Sequence, residues 1–267
     1  MDRIRVNGVE LEYLDEGTGV PVVFSHGGAS DVRYWQPQRK AFAQRYRFIA
    51  YSRRFHGAGR WAMDGDDSAD AHATDLLTII RQLGVGTAHV VGFSTAIALR
   101  AALREPELIR SLAVIEPNVP WLLEGDDEGE AVLEYWQRAN DRLQAEAGED
   151  GERLAELWFE LVNHQGRGTF AAQPHAFREM WIENMTRPRP VASPPSPLAW
   201  EQLRALGAPT LVVGAEHGMP YSRLIVERLA SCIPNCRRVV VPAVTHFMSY
   251  QAPGRFNDLI LDFLAEN

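Results

Sequence analysis

Short apolar runs alternate with amphipathic stretches along the first 116 residues of the chain. The apolar runs predict strands near residues 3–7, 10–14, 20–25, 47–51, 88–93 and 110–116. Apolar positions between them recur at three- and four-residue steps, which predicts helices over 34–46, 69–83 and 95–103. This alternation is typical of an α/β protein whose parallel sheet is covered by helices.

The pattern changes after residue 117. Long amphipathic stretches occur at 131–145 and 152–162, and a proline-rich stretch follows at 187–197. The alternation of strands and helices then resumes over 209–214, 220–231, 237–241 and 252–265. We therefore expect one α/β core made of residues 1–117 and 201–267, interrupted by a helical cap insertion at residues 118–200.

An apolar run meets a helical pattern at Ser94, within Val90-Val91-Gly92-Phe93-Ser94-Thr95-Ala96. A serine at such a junction, with small residues two positions away on either side, is typical of a sharp turn that presents a nucleophilic hydroxyl. The amide of Thr95, at the start of the helix, would then face negative charge on a substrate oxygen. On its own, the segment also fits a helix that begins with a capping serine.

Two further motifs supply groups that a serine nucleophile needs. The apolar run at 22–24 ends in Ser25-His26-Gly27-Gly28, and the amide of Gly28 is our candidate for the second oxyanion donor beside Thr95. His246 follows another apolar run, at 239–241. It is our candidate for the base, because serine is a poor nucleophile until an imidazole removes its proton.

With these three motifs in register, the chain resembles the α/β-hydrolase family from Val6 to Leu264. The resemblance implies a mostly parallel central sheet with helices on both faces, a helical cap, and a catalytic order of serine, acid and histidine. The chain departs from the family pattern at two positions. Ala96 replaces the last glycine of the nucleophile motif, and His217 stands where many members have an aspartate.

Two carboxylates are candidates for the missing acid. Glu116 ends the strand that is expected beside the nucleophile strand, and some members of the family, including certain dehalogenases, carry their acid there. Glu216 lies one residue before the vacant aspartate position. Glu116 is favoured, while Glu216 as an alternative acid and a site without a working acid both stay open.

Aromatic residues concentrate in the expected cap, where five of the seven tryptophans lie within or at the edge of residues 118–200. A thin lid has little core of its own, so several of these rings are expected to face the cleft and to favour an apolar or aromatic substrate. The candidate substrate-binding residues are Gly27, Arg33, Trp35, Phe93, Trp121, Trp158 and Trp181. The loop after the strand at 47–51 could present a cation and aromatic side chains to the substrate. The favoured interpretation is structural, in which Arg53 or Arg54 pairs with surface carboxylates.

The amino-acid composition limits which binding partners and which cellular compartment we expect for the protein. A formal net charge of −8 argues against a nucleic acid or an anionic membrane. Cys232 and Cys236 are the only cysteines and have no zinc-ligand spacing, so we expect no metal and a reducing compartment. The absence of a signal segment and of a membrane-length apolar run predicts a cytoplasmic protein. We expect a small-molecule substrate and no cofactor; a homodimer stays open.

The predicted function is hydrolysis of an ester, lactone or related carbonyl of a small, largely apolar or aromatic molecule through an acyl-enzyme, with Ser94, Glu116 and His246 as the catalytic triad. One alternative is a C–C bond hydrolase, or a non-hydrolytic lyase or cyclase, on the same scaffold. Another is a ligand-binding protein derived from a hydrolase. An epoxide hydrolase or dehalogenase is disfavoured, because those enzymes need a carboxylate where this chain has Ser94.

Overall fold

The computed structural model describes residues 1–190 and 197–267, and within these ranges eight strands form one sheet. The strands are β1 (Asp2–Val6), β2 (Val9–Glu16), β3 (Pro21–Ser25), β4 (Arg47–Tyr51), β5 (Ala88–Phe93), β6 (Ile109–Ile115), β7 (Thr210–Ala215) and β8 (Cys236–Val241). Their order across the sheet is β1-β2-β4-β3-β5-β6-β7-β8. β2 is antiparallel to both β1 and β4, and all other neighbouring strands are parallel.

Burial explains why the central strands read as continuous apolar runs. Every residue of β3, β5 and β7 is buried, as expected for parallel strands covered by helices on both faces. The two edge strands, β1 and β8, each bury only part of their residues. β8 carries the exposed Arg237 and Arg238, which discourage pairing with a further strand.

The helices largely follow the predicted amphipathic stretches. They are α1 (Gln36–Ala43), α2 (Ala69–Gln82), α3 (Ile97–Arg104), α4 (Asp127–Ala147), α5 (Gly151–Asn163), α6 (His175–Thr186), α7 (Trp200–Arg204), α8 (Pro220–Cys232), α9 (Met248–Gln251) and α10 (Pro253–Ala265). Two begin two residues later than predicted. A 3₁₀ turn at Val32–Trp35 precedes α1, and the turn at Ser94 delays the start of α3 to Ile97. Within the described ranges, each helix is too short or too polar to cross a bilayer.

Helices α4, α5 and α6 lie between β6 and β7, in the segment predicted to be the cap. α4 packs against α5, α5 packs against α6, and α4 also contacts α8. The side chains of Asp126 and Asp150 cap the N-termini of α4 and α5 by accepting hydrogen bonds from backbone amides. Residues 191–196, within the proline-rich stretch of the predicted cap, lie outside the described residues.

The direction of the chain across the sheet reverses at β3. The chain passes from β3 to its neighbour β4, and then to β5 on the opposite side of β3. Loops that leave the carboxyl ends of β3 and β5 therefore diverge and leave a crevice, the usual place for a ligand in an open α/β sheet. Gly27 and Gly28 follow β3, and Ser94 follows β5, so both motifs border this crevice.

Candidate active site

Ser94 occupies a sharp turn between β5 and α3. Its φ angle is +53°, in the left-handed region, and its backbone N–H donates to the carbonyl of Ile115 at 2.9 Å. The turn requires a small residue two positions earlier, because a Cβ on Gly92 would lie 2.9 Å from the Cβ of Ala98. The strained backbone holds the half-buried Ser94 at the carboxyl end of the sheet.

His246 and Glu116 form a buried pair beside Ser94. Nδ1 of His246 lies 3.3 Å from Oε2 of Glu116, and the two side chains are 9% and 0% exposed. A proton on Nδ1 would be donated to the carboxylate, which leaves Nε2 of the ring as the free base. Ser94 and His246 line the same cavity, but no hydrogen bond joins their side chains within the described ranges. Such bonds commonly tighten only when substrate is bound.

The position of the Glu116 carboxylate is fixed by two strands. Its Oε1 accepts a hydrogen bond from the N–H of Ala215 at 2.9 Å, and its own N–H donates to the carbonyl of Val213 at 2.8 Å. Gly218 leaves room for the carboxylate, because a Cβ there would lie 3.3 Å from Oε2. The backbone therefore orients Glu116 so that one oxygen remains for His246.

The glycine loop after β3 lies directly against the nucleophile turn. A Cβ on Gly27 would lie 3.3 Å from the Cβ of Ser94 and 3.1 Å from the ring of Phe93. The carbonyl of Gly27 accepts a hydrogen bond from Arg53 Nη2 at 2.9 Å. Since a trans peptide directs its N–H opposite to its C=O, the amide of Gly28 points away from Arg53. Gly28 and Thr95 both line cavities that include Ser94.

One cavity beside Ser94 is small and largely apolar, with a volume of about 130 Å³. Trp136, Trp158 and Trp181, one from each of α4, α5 and α6, contribute to its wall. Trp136 stacks on Tyr221 with ring centroids 5.0 Å apart, and Trp181 donates to the carbonyl of Ala155 at 2.8 Å. These contacts orient Trp136 and Trp181 in the wall of the apolar cavity.

Most of the candidate site residues chosen from the sequence line one of two cavities beside Ser94. The apolar cavity is lined by Gly27, Gly28, Phe93, Ser94, Glu116, Trp158, Trp181 and His246. Thr95 and Trp121 line a second cavity, of about 370 Å³, which also includes Gly28 and Ser94. The structure does not bring every candidate to the site. Arg33 pairs with Asp31 and Glu183, and Trp35 is buried against Phe24.

Glu216 does not contact His246 within the described ranges. Its side chain is 52% exposed, and its Oε2 accepts a hydrogen bond from the N–H of Ala243 at 2.7 Å. His217, which occupies the vacant aspartate position, is 61% exposed. The contacts of Glu216 thus brace the loop that follows β8.

Several residues that line the cavities were not selected from the sequence. Trp136 and Tyr221 lie in the apolar cavity, while Arg53, His56 and Arg189 lie in the second cavity. The concentration of tryptophans in the predicted cap could have identified Trp136 as a site residue. No pattern in the sequence pointed to Arg189. Within the described ranges, no group of three or more histidine, cysteine, aspartate or glutamate side chains could hold a metal ion.

The chain is similar in sequence and in structure to known proteins. Residues 22–259 match the model of the Alpha/beta hydrolase family. The non-heme chloroperoxidase CPO-A1 of Kitasatospora aureofaciens is 28% identical, with 97% of each chain covered. The 2-hydroxymuconate semialdehyde hydrolase of Pseudomonas sp. (strain CF600) is 26% identical and covers 97% of this chain and 92% of its own. A thermophilic esterase from Thermogutta terrifontis superposes with a TM-score of 0.78 at 22% identity, over 100% of this chain and 99% of its own.

Proposed function

Because the chain belongs to the alpha/beta hydrolase family, we propose that it is a serine-dependent hydrolase that cleaves an ester, lactone or related carbonyl of a small, largely apolar or aromatic molecule. The reaction proceeds through an acyl-enzyme on Ser94. His246 is the general base, and Glu116 is the acid of the triad. The observation that carries the proposal is the buried contact of 3.3 Å between Glu116 and His246, at a cavity that Ser94 also lines.

In the first half of the reaction, Nε2 of His246 removes the proton of Ser94 Oγ as that oxygen attacks the substrate carbonyl. Negative charge develops on the former carbonyl oxygen, which accepts hydrogen bonds from the amides of Gly28 and Thr95. The ring then gives its proton to the leaving group, and the C–O bond to that group breaks. Glu116 stabilises the transient imidazolium through Nδ1.

In the second half, the same imidazole removes a proton from water, and the resulting hydroxide attacks the acyl carbon. The tetrahedral intermediate uses the same two amides. Collapse breaks the bond to Ser94 Oγ, and the proton held by His246 returns to the serine. The products are a free acid and the alcohol released earlier, and the reaction needs no oxidant or reductant.

The apolar cavity supports a small, flat or aliphatic substrate portion. Its volume of about 130 Å³ accommodates only a few heavy atoms beside Ser94. The tryptophans of its wall come from the connection between β6 and β7, which we propose to be a cap that covers the site. A larger group in this apolar cavity would require α4, α5 or α6 to move.

A C–C bond hydrolase is the second candidate, favoured by the similarity to a 2-hydroxymuconate semialdehyde hydrolase. The ligand-binding alternative rests on the vacant aspartate position at His217. The contact between Glu116 and His246 offers a carboxylate from another strand, which weakens that alternative.

A covalent trap would test the proposal. We expect a fluorophosphonate to add one phosphonyl group to Ser94, detected by peptide mass spectrometry, and to block hydrolysis of para-nitrophenyl acetate. Ser94→Ala should abolish both the labelling and the hydrolysis, while Ser231→Ala, which removes an exposed hydroxyl on α8, should leave both unchanged. Hydrolysis that persists in Ser94→Ala would refute a serine nucleophile.

A further inference from the structure

The second cavity, unlike the first, is lined by arginine side chains. Arg53, His56, Asp67, His72 and Arg189 line it, and Ser94 lies at its border with the apolar cavity. None of these five residues has a part in the chemical steps described above. Arg53, His56 and His72 are buried, and such burial beside the nucleophile calls for a separate explanation.

Arg53 is a buried cation with an unused donor. The residue is 5% exposed, its backbone N–H donates to Nε2 of His26, and its Nη2 donates to the carbonyl of Gly27 at 2.9 Å. Its Nε is buried and finds no hydrogen-bond partner in residues 1–190 and 197–267. A buried N–H of a charged group without an acceptor is costly, so this atom points to an acceptor that the protein does not itself provide.

Arg189 brings a second cation to the same cavity from the segment that follows α6. Its Nη2 donates to the carbonyls of Gly28, at 3.2 Å, and Asn184. Burial lowers the pKa of Arg189, and it lowers the pKa of Arg53 to about 10. Arginine side chains stay protonated in folded proteins at neutral pH, so both guanidinium groups remain charged.

One carboxylate partly balances the two cations. Among the described residues that line the cavity, Asp67 is the only acid, and its Oδ1 lies 2.9 Å from Nε2 of His72. Burial lowers the pKa of His72 to about 4 and holds the pKa of His56 well below its usual value, so both rings are neutral at pH 7. The cavity therefore carries a net charge of about +1, which suits a monoanion better than a dianion.

We propose that the second cavity binds a carboxylate group of the substrate through Arg53 and Arg189, while the reacting carbonyl lies at Ser94. A guanidinium group matches the planar carboxylate, and its Nε supplies one of the donors that such a pair uses. The inference rests on the proposed function, since it describes the substrate of the same nucleophile. It adds that the substrate is an anionic ester or related carbonyl rather than a neutral one.

Matched pairs of esters would test the proposal. One pair carries the charge on the acyl portion: mono(para-nitrophenyl) adipate and its neutral methyl ester. The other carries it on the leaving group: para-acetoxybenzoate and its methyl ester. In at least one pair, we expect wild-type kcat/KM to favour the charged ester by about 10- to 100-fold, mainly through KM, as for a hydrogen bond to a charged group.

Two variants and one control identify the cations responsible. Arg189→Gln removes one charge, and Arg53→Lys keeps the charge but removes Nε. Each should reduce the preference for the charged ester to within about threefold of unity. Arg187→Gln makes the same charge change two residues away, at a side chain that lies over Trp61, and should keep the wild-type preference. Equal kcat/KM for both members of each pair, or a preference that survives both variants, overturns the proposal.

A binding measurement separates this inference from the proposed function. Ser94→Ala protein is titrated calorimetrically with monomethyl adipate and with benzoate, both monoanions, with and without the additional Arg189→Gln substitution. Binding that requires Arg189 supports the carboxylate site even if wild-type protein hydrolyses no ester. Failure of both anions to bind the Ser94→Ala protein overturns the site, even if wild-type protein is an active esterase toward neutral substrates.

Discussion

Thr245, the residue that precedes His246, donates a hydrogen bond from its hydroxyl to Oδ1 of Asn163 at the end of α5. The same hydroxyl accepts a hydrogen bond from Nε2 of Gln251 at 2.7 Å, and Thr245 and Asn163 are both fully buried. The connection between β6 and β7 is thereby tied to the loop that carries the proposed base. A movement of α5 would reach His246 through a single residue.

Thr245→Val should impair the reaction through the position of His246. We expect kcat to fall by roughly 10- to 100-fold, because a misplaced base is costly, and the free energy of unfolding to fall by about 1–3 kcal/mol, because Asn163 loses a buried partner. Thr245→Ser keeps the hydroxyl and should restore activity. The control is Thr169→Val, at an exposed hydroxyl of the same connection. A loss of stability with unchanged kcat and an unchanged pH profile would show a merely structural role.

Glu116→Gln should reduce kcat for ester hydrolysis by roughly 10⁴-fold, as for the equivalent change in other triads. The amide oxygen can still accept the hydrogen bond from Ala215, but an NH₂ group then faces Nδ1 of His246 and favours the wrong tautomer. Glu216→Gln is the matched control and should change kcat by less than about threefold. The roles of the two glutamates would be reversed if Glu216→Gln were the inactive protein.

Gly27→Ala should reduce kcat without unfolding the protein. The added Cβ lies 3.1 Å from the ring of Phe93 and 3.3 Å from the Cβ of Ser94, so the loop after β3 must shift by a few tenths of an ångström. A displaced Gly28 amide would weaken the oxyanion contact, for which a roughly 10- to 100-fold loss is expected. Gly254→Ala, in open space on α10, is the control. Equal kcat in the two variants would argue against Gly28 as a donor.

Acidification should destabilise the protein through buried histidines. Burial holds the pKa of His72 and of His89 at about 4 in the folded state, against an ordinary value of 6.5. The unfolded chain therefore binds more protons between these values, and the free energy of unfolding falls as the pH drops from about 6.5 to about 4. The loss amounts to about 3 kcal/mol per residue.

His89→Gln tests this linkage in urea unfolding at several pH values across that range. The dependence of the free energy of unfolding on pH should become shallower by up to about 1.4 kcal/mol per pH unit. His175→Gln, at an exposed ring, should keep the wild-type dependence. An unchanged slope in His89→Gln would show that this ring is not neutral in the folded protein.

The sheet was predictable because its strands are buried on both faces. Residues 90–93 of β5 and 211–215 of β7 include no polar side chain, so the positions of these strands follow from the sequence to within a residue or two. Helix α6 was not predicted. The face that α6 buries contains the polar Asn184 beside Phe177, Met180 and Trp181, and the half-buried Ile182 lies off that face, so the apolar stripe is weak.

Side-chain direction in loops could not be predicted. Arg53 and Arg54 are adjacent, but Arg54 pairs with Asp75, whereas Arg53 donates a hydrogen bond to the carbonyl of Gly27. The carboxylate pair favoured from the sequence therefore forms at Arg54, although its partner Asp75 is buried and not at the surface. Trp35 likewise lies close in sequence to the glycine loop, yet its ring turns into the core. Such choices depend on contacts between residues far apart in the sequence.

Ser94 lies where two dissimilar cavities meet, one walled by tryptophans and the other by arginines. A substrate with an apolar group at one end and a carboxylate at the other would fit these two cavities in only one orientation. If the carbonyl group and the ester oxygen of this substrate exchanged places, the carbonyl carbon would move away from Ser94. We therefore expect the protein to distinguish an ester from its reversed isomer, even though both have the same length, charge and ends.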